Sequence, residues 1–311
     1  MSISIIHWSL LLKIWRIVIL DNVHSIHNRI PRLATKALMY EVSLSPKPGL
    51  VDRFNNGSHR DMNFYTFVDS VLSFEPFFKQ YYDLGRNLHQ TEDLSELFNG
   101  SRRIGINAEI AMFEATHGIN THKGANFSFA LFLVAVGYII EREQLSTWSA
   151  SHTTEAFQLI RLMTKDILLK DFDDVHTREK LSHGERLYIE HGITGIRGEA
   201  VSGYPILQDI LMPYLRSLDD PILEHNLLKA LLLIMGHIED GNIIHRGGFE
   251  AWETIKMEAL TLFDDPNEPS EFLEALHEYD QVMIERHLSP GGAADALALG
   301  IFLSLLEQAE F

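Results

Sequence analysis

What most constrains this chain is the spacing of its apolar residues, which recur every three to four positions and seldom alternate. Leu33, Ala37, Tyr40 and Leu44 form one such stripe, and Ala108, Ala111, Met112 and Ala115 a second whose small side chains let two helices approach closely. Phe127, Leu131, Val134 and Tyr138 follow, then Ala156, Leu159, Ile160 and Met163, and then longer runs over 222–238, 249–262, 272–284 and 293–306. Positions i, i+3, i+4 and i+7 share one face of an α-helix, whereas a half-buried strand needs a period of two. The spacing therefore predicts an all-α fold of roughly ten helices. Two polar stretches, 170–178 and 264–270, have loop composition, yet neither is long or biased enough to link two domains. The expectation is a single compact multi-helix domain over 31–311, preceded by a helical extension over 1–30.

That extension is hydrophobic: thirteen of the eighteen residues 3–20 are apolar. Lys13 and Arg16 interrupt the run, no basic cluster precedes it, and no small-residue cleavage site follows before Asp21. It reads as a helix resting on the body rather than a leader or a membrane span. A partner-binding helix and an interfacial anchor share its composition.

Charge narrows the function classes. Forty-three acidic against 26 basic side chains give a net charge of −17, which argues against a general nucleic-acid or anionic-membrane binder. Cysteine is absent, so disulfides, thiolate zinc sites, iron–sulfur clusters and cysteine nucleophiles are excluded, and histidine and carboxylate remain as ligands. A chain without cysteine fits a reducing compartment, and a cytoplasmic location is expected.

Against this background the polar residues collect in five short glycine-bearing runs. The first, from Pro46 to Met62, sets Lys47, Asp52, Arg53, His59 and Asp61 on a path made rigid by two prolines and two glycines. Each alone reads as a charged group of a solvated loop; their joint density is the signal. In the second, from Arg103 to Asn126, Glu109 shares a helix face with Met112, and Gly118 and Asn120 suit a left-handed helix end. The next helix then opens near Gly124, and its free backbone N–H groups beside Thr121 and Lys123 suit a phosphate. His117 and His122 read more readily as caps or hydrogen-bonded structural groups than as zinc ligands.

The third run, from His191 to Pro205, places four glycines around Arg197 and Glu199, implying close backbone approach to a helix or a ligand. The fourth runs from Glu239 and Asp240 to His245, Arg246, Gly247 and Gly248. In the fifth, Gly291 and Gly292 precede an apolar helix with Asp295 in its first turn, where a plain helix-start acid is the bland alternative. None is a Walker loop, a dinucleotide fingerprint or a zincin helix. Together they describe a polyanion site: Lys47, Arg53, Lys123, Arg197 and Arg246 supply positive charge, while Asp52, Asp61, Glu109, Asp240 and Asp295 can hold magnesium against phosphate oxygens.

At these runs the chain resembles the triphosphoribosyl-dephospho-coenzyme A synthases, which make the prosthetic-group precursor of citrate lyase, and their malonate-decarboxylase counterparts. The resemblance rests on PKPGLVDR with GSHRDM, RIGINAEIAM with THGINTHKGA, HGITGIRGEA with SGYP, NIIHRGG, and SPGGAADALA, in that order between residues 46 and 298. Residues 1–30, 83–101, 143–185 and 264–285 carry none of these motifs. One position departs from the family pattern, where Asp-Thr-Asn is expected and Asp240-Gly241-Asn242 stands here.

The resemblance implies an all-helical catalytic domain that joins ATP to 3′-dephospho-CoA, releases adenine, and hands its product to a carrier-protein transferase. Such chemistry needs a proton donor for adenine, a base for the attacking hydroxyl, and a carboxylate facing the oxocarbenium-like sugar. Asp61, Glu109 and Glu199 are the candidates, with His122 as a further acid or base. Asp52, Asp240 and Asp295 are assigned to magnesium, and these carboxylates exchange freely between the two sets. Substrate contacts are expected from Lys47, Arg53, His59, Asn120, Thr121, Lys123, Arg197, His245, Arg246, Gly247, Gly248, Gly291 and Gly292. Lys123, Arg197, Arg246 and the Gly291–Gly292 backbone are the expected triphosphate cradle. A magnesium-dependent N-glycosidic hydrolase and a nucleotide-binding protein without chemistry are the competing readings.

Overall fold

The computed structural model describes residues 26–173, 175, 181, 183–265 and 268–308, and among these every regular element is helical. The chain opens with α1 (Ile26–Ser43), α2 (Phe64–Asn87), α3 (Ser95–Ala115) and α4 (Lys123–Glu143). Shorter helices follow: α5 (Ala150–Thr164), α6 (Ile167–Phe172), α7 (His183–His191), α8 (Gly195–Ser202), a π-helical turn (Ile206–Leu211) and α9 (Met212–Arg216). The last four are α10 (Glu224–Met235), α11 (Gly241–Asp264), α12 (Pro269–Glu285) and α13 (Gly291–Glu307).

The central element is α4, buried without interruption from Ser128 to Ile140. It is long and apolar enough to cross a membrane by composition, but its apolar window is 83% buried inside the protein, as a helix that is hydrophobic all round should be in a core. Its main neighbour is α2. A Cβ on Gly85 would meet the Val134 carbonyl oxygen at 2.0 Å, and one on Gly137 would meet that of Tyr82 at 2.2 Å. Glycine at both positions is what lets the backbones approach. An aromatic series then ties three helices together: Phe78 of α2, Phe129 of α4 and Phe302 of α13 lie 5.4 and 5.6 Å apart between successive ring centroids.

Several elements differ from the spacing-based expectation. The helix α2 carries none of the stripes named above, although Val71, Phe74, Phe78, Tyr81, Tyr82 and Gly85 all face the core. Pro76 lies inside it, and a proline argues locally against a helix interior. Asn63 starts this helix with a reciprocal capping box to Thr66. Residues 170–172, expected in a loop, form the end of α6. The run 249–262 belongs to a longer helix that begins at Gly241 and kinks where Gly248 takes φ 78° and ψ −178°. The boundary drawn after residue 30 falls within α1, where Ile30 is part of the core; residues 1–25 lie outside the described residues.

Candidate active site

The glycine turns expected to cradle phosphate hold carboxylates. Asp240 caps α11 by accepting from the Asn242 and Ile243 N–H groups at 2.9 and 3.3 Å, and its second oxygen accepts from Ala293 N at 3.1 Å in the first turn of α13. One side chain thus closes the starts of two helices. Asp295 sits against the start of α4, where it accepts from the Ala125 backbone. A Cβ on Gly124 would lie 2.3 Å from its Oδ2, and one on Gly292 would lie 3.0 Å from Asp240 Oδ2. The missing side chains make room for the acids.

Around this pair the local field is strongly negative. Burial pushes the Asp295 carboxyl well above its ordinary range, and Glu41 and Asp240 push it further. Burial also raises Asp240, against the pull of its backbone donors, and raises Glu41, against the pull of Lys47. The Lys47 ammonium is sealed with Glu41 at 2.5 Å inside the protein. Glu199 is raised to about 7, first by burial and then by Glu239. Both Glu199 and Asp295 act on the buried Tyr204, whose hydroxyl donates to Ser128 Oγ at 2.9 Å. His122 is buried, and its pKa falls to about 3 through burial and the nearby Lys47 charge. It is a neutral imidazole at physiological pH, with Nδ1 2.8 Å from Ser70 Oγ and Nε2 without a hydrogen-bond partner. Thr121 donates to the same serine hydroxyl at 2.7 Å.

The first run packs beside this group. Asp52 accepts from Ser45 Oγ at 2.6 Å and from the Phe54 and Asn55 N–H groups at 2.7 and 3.0 Å, closing its own turn. Gly49 at φ 70° would drive a Cβ to 2.1 Å from the Leu288 carbonyl oxygen, and its N–H donates to Asp280 at 2.9 Å. Arg53 pairs with Glu224 at the surface, 2.7 Å away. His59 Nε2 lies 3.0 Å from Ser289 Oγ, just ahead of Gly291, while Asp61 is exposed 3.7 Å from the same ring. Arg246 donates to the carbonyls of Ser58 and His287 at 3.2 and 3.1 Å. His245, Gly247 and Gly248 are exposed around the α11 kink.

On the other side of the α4 start lies a cleft of about 270 Å³. One wall is a face of α3, with Phe98, Arg102, Gly105, Ile106 and Glu109; the facing wall is α4, with Lys123, Asn126, Phe127 and Ala130. Lys123 Nζ lies 3.0 Å from Glu109 Oε2, and Asn120 accepts from the Lys123 N–H at 3.3 Å. Tyr81 donates to Asn126 Oδ1 at 3.0 Å. At the rim Asp171 accepts from Arg102 at 2.7 Å through one oxygen and from Arg197 at 2.8 Å through the other.

The five runs therefore meet, though not as one flat constellation. Lys47, His122, Glu199, Asp240 and Asp295 surround the acidic interior, Glu109, Lys123 and Arg197 face the cleft, and His59, Asp61 and Arg246 lie on the outer side with Arg53. Among the described residues no three His, Asp or Glu side chains converge as metal ligands. The oxygens of Asp52 and Asp240 are already engaged by O–H and N–H donors, which leaves Asp295 as the carboxylate of that trio with the least hydrogen-bond commitment. Spacing missed Glu41, Tyr81, Arg102 and Asp171, and gave Glu239 a place in the fourth run but no role. Glu41 had a signal, because an acid at that position interrupts the buried face made by Ala34, Ala37 and Leu38.

Comparison with known proteins agrees with the motifs. Residues 27–310 match the family described as ATP:dephospho-CoA triphosphoribosyl transferase. A probable 2-(5''-triphosphoribosyl)-3'-dephosphocoenzyme-A synthase of Streptococcus mutans serotype c is 44% identical over 283 residues, covering 89% of this chain and 95% of the relative. One of the same description from Streptococcus equi subsp. zooepidemicus is 46% identical over 285 residues, covering 90% and 97%. Another from Streptococcus pyogenes serotype M5 is 45% identical over 287 residues with the same coverage. No solved structure matches the chain. With a match over nearly its whole length, the chain belongs to the ATP:dephospho-CoA triphosphoribosyl transferase family.

Proposed function

We propose that the chain joins ATP to 3′-dephospho-CoA with loss of adenine, giving 2′-(5″-triphosphoribosyl)-3′-dephospho-CoA for a downstream carrier-protein transferase. The observation that carries this reading is the meeting of five runs, far apart in sequence, around the start of α4, with buried carboxylates on one side and, on the other, a cleft in which Arg102, Lys123 and Arg197 stand against Glu109 and Asp171. The bond from adenine N9 to the ribose anomeric carbon breaks, and the acceptor 2′-oxygen forms the new bond to that carbon. One proton leaves the hydroxyl and one reaches adenine.

Glu199 is the proton donor in this scheme, because a carboxyl raised to about 7 is substantially protonated near neutral pH. Glu109, which opens on the cleft beside Lys123, is the base for the acceptor hydroxyl. Asp61 is the remaining candidate to face the oxocarbenium-like sugar. His122, neutral and buried, acts as a hydrogen-bonding group rather than as a charged acid. Magnesium commonly reaches such sites on the substrate phosphates with one or two protein carboxylates. Asp295 fits as that carboxylate, and the ion would neutralise phosphate oxygens there.

Purified protein incubated with ATP, magnesium and 3′-dephospho-CoA tests the proposal, with free adenine followed by chromatography and the acceptor by mass spectrometry. Stoichiometric adenine with a triphosphoribosyl mass increment on the acceptor is expected. Adenine with unmodified acceptor would assign a hydrolase instead, and no adenine from folded, ATP-binding protein would refute catalysis.

A further inference from the structure

We infer that the α3–α4 cleft is the acceptor subsite, in which Arg102 and Arg197 hold the diphosphate of 3′-dephospho-CoA and Phe98, Ile106 and Phe127 take the aliphatic segments of its arm. The inference rests on the reaction proposed above and adds where the second substrate sits.

Two guanidinium groups converge at the rim of the cleft. They share one carboxylate, Arg102 on one oxygen of Asp171 and Arg197 on the other, at 2.7 and 2.8 Å. Asp171 thus fixes both guanidinium groups at one rim, and planar guanidinium donors match phosphate oxygens well. In a chain of net charge −17, a rim that sets two guanidinium groups against one carboxylate is a specific feature and not a general surface property. Beyond the rim the walls change character, because Phe98, Ile106, Phe127 and Ala130 line the same space. Ile106 is 58% exposed, an aliphatic surface open to solvent. A diphosphate followed by a long arm, with dimethyl and methylene segments between its amides, describes 3′-dephospho-CoA. ATP shares the adenine and the phosphates but carries nothing beyond them to follow the wall. Arg102 stands between Phe98 and Glu109 along α3, so an acceptor whose diphosphate it holds directs arm and ribose, which leave opposite ends of the diphosphate, to different parts of the cleft, the ribose toward Glu109 and Lys123.

The test combines titration of the full-length protein with 3′-dephospho-CoA alone and steady-state kinetics with both substrates. Arg102 is 55% exposed, so Arg102→Ala is expected to fold. It should raise the Kd and KM for 3′-dephospho-CoA by about ten- to a hundred-fold, the loss of one charged hydrogen-bonding partner, with the KM for ATP unchanged. Ile106→Ser should weaken 3′-dephospho-CoA while leaving inhibition by ADP, which has the diphosphate but no arm, as in the wild type. A raised KM for ATP in Arg102→Ala would give the cleft to the triphosphate and overturn the inference, as would unchanged acceptor affinity in both variants. If Arg102→Ala fails to fold, Ile106→Ser decides. If the wild type releases no adenine, the reaction proposal fails by itself. The titration then decides the subsite: binding weakened by either variant upholds it, and wild-type protein that does not bind the acceptor refutes it.

Discussion

Replacing Glu199 with glutamine should make the protein more stable and inactive at once. Burial and Glu239 lift this carboxyl from its ordinary 4.5 to about 7, and each tenfold change in proton affinity is worth 1.36 kcal/mol. The ionised form therefore costs the folded chain about 3 kcal/mol, an order-of-magnitude figure. The sign follows from linkage. The folded state holds the proton more tightly than the unfolded state, so the stability this group contributes is fully present below pH 4.5 and is lost as pH rises through about 7. Glutamine copies the neutral acid and cannot ionise. Urea unfolding across a pH series should show Glu199→Gln and wild type nearly equal in acid. They should diverge to about 3 kcal/mol in favour of the variant above about pH 8. Adenine release by the same preparation should be abolished. Parallel stability curves for the two proteins would refute both the buried, proton-holding environment and the donor role built on it.

Other perturbations probe the remaining geometry. Gly124→Ala puts a methyl group 2.3 Å from Asp295 Oδ2; thermal unfolding should register a loss of about 1–3 kcal/mol, and turnover should fall far more than stability does. Gly85→Ala drives a methyl group against the Val134 carbonyl at 2.0 Å, a backbone atom that cannot turn aside, so denaturant unfolding should show a loss of about 1–3 kcal/mol despite alanine's higher helix propensity. Glu109→Gln and Asp61→Asn should each abolish adenine release with an unchanged circular-dichroism melt, and near-normal turnover in both would remove them from the catalytic set.

Much of the fold was legible because helical periodicity is a local signal. The last two helices, α12 and α13, were anticipated to within about three residues at either end. What escaped depended on contacts remote in sequence. The helix α2 hides behind Pro76 and is secured by the close approach of Gly85 and Gly137 to their partners' backbones. The site runs were visible as clusters of glycine and charge, but their internal wiring was not. A glycine that admits a phosphate and a glycine that admits a carboxylate leave the same trace in a sequence. Only the fold shows that Gly124 lies against Asp295. Arg102 and Asp171 share an ion pair across sixty-nine positions, with no local pattern to announce it.

The double attachment of Asp240 bears on how the protein assembles. Its carboxylate joins the start of α11 to the start of α13 across fifty-three positions, a contact that cannot form until the intervening chain has turned back on itself. Closing such a loop is an entropic cost that only long-range contacts recover. The last helix must therefore dock before Asp240 acquires its full set of donors. Completion of the site and completion of folding become a single event, and a chain truncated before α13 should be left without a competent centre rather than with a weakened one.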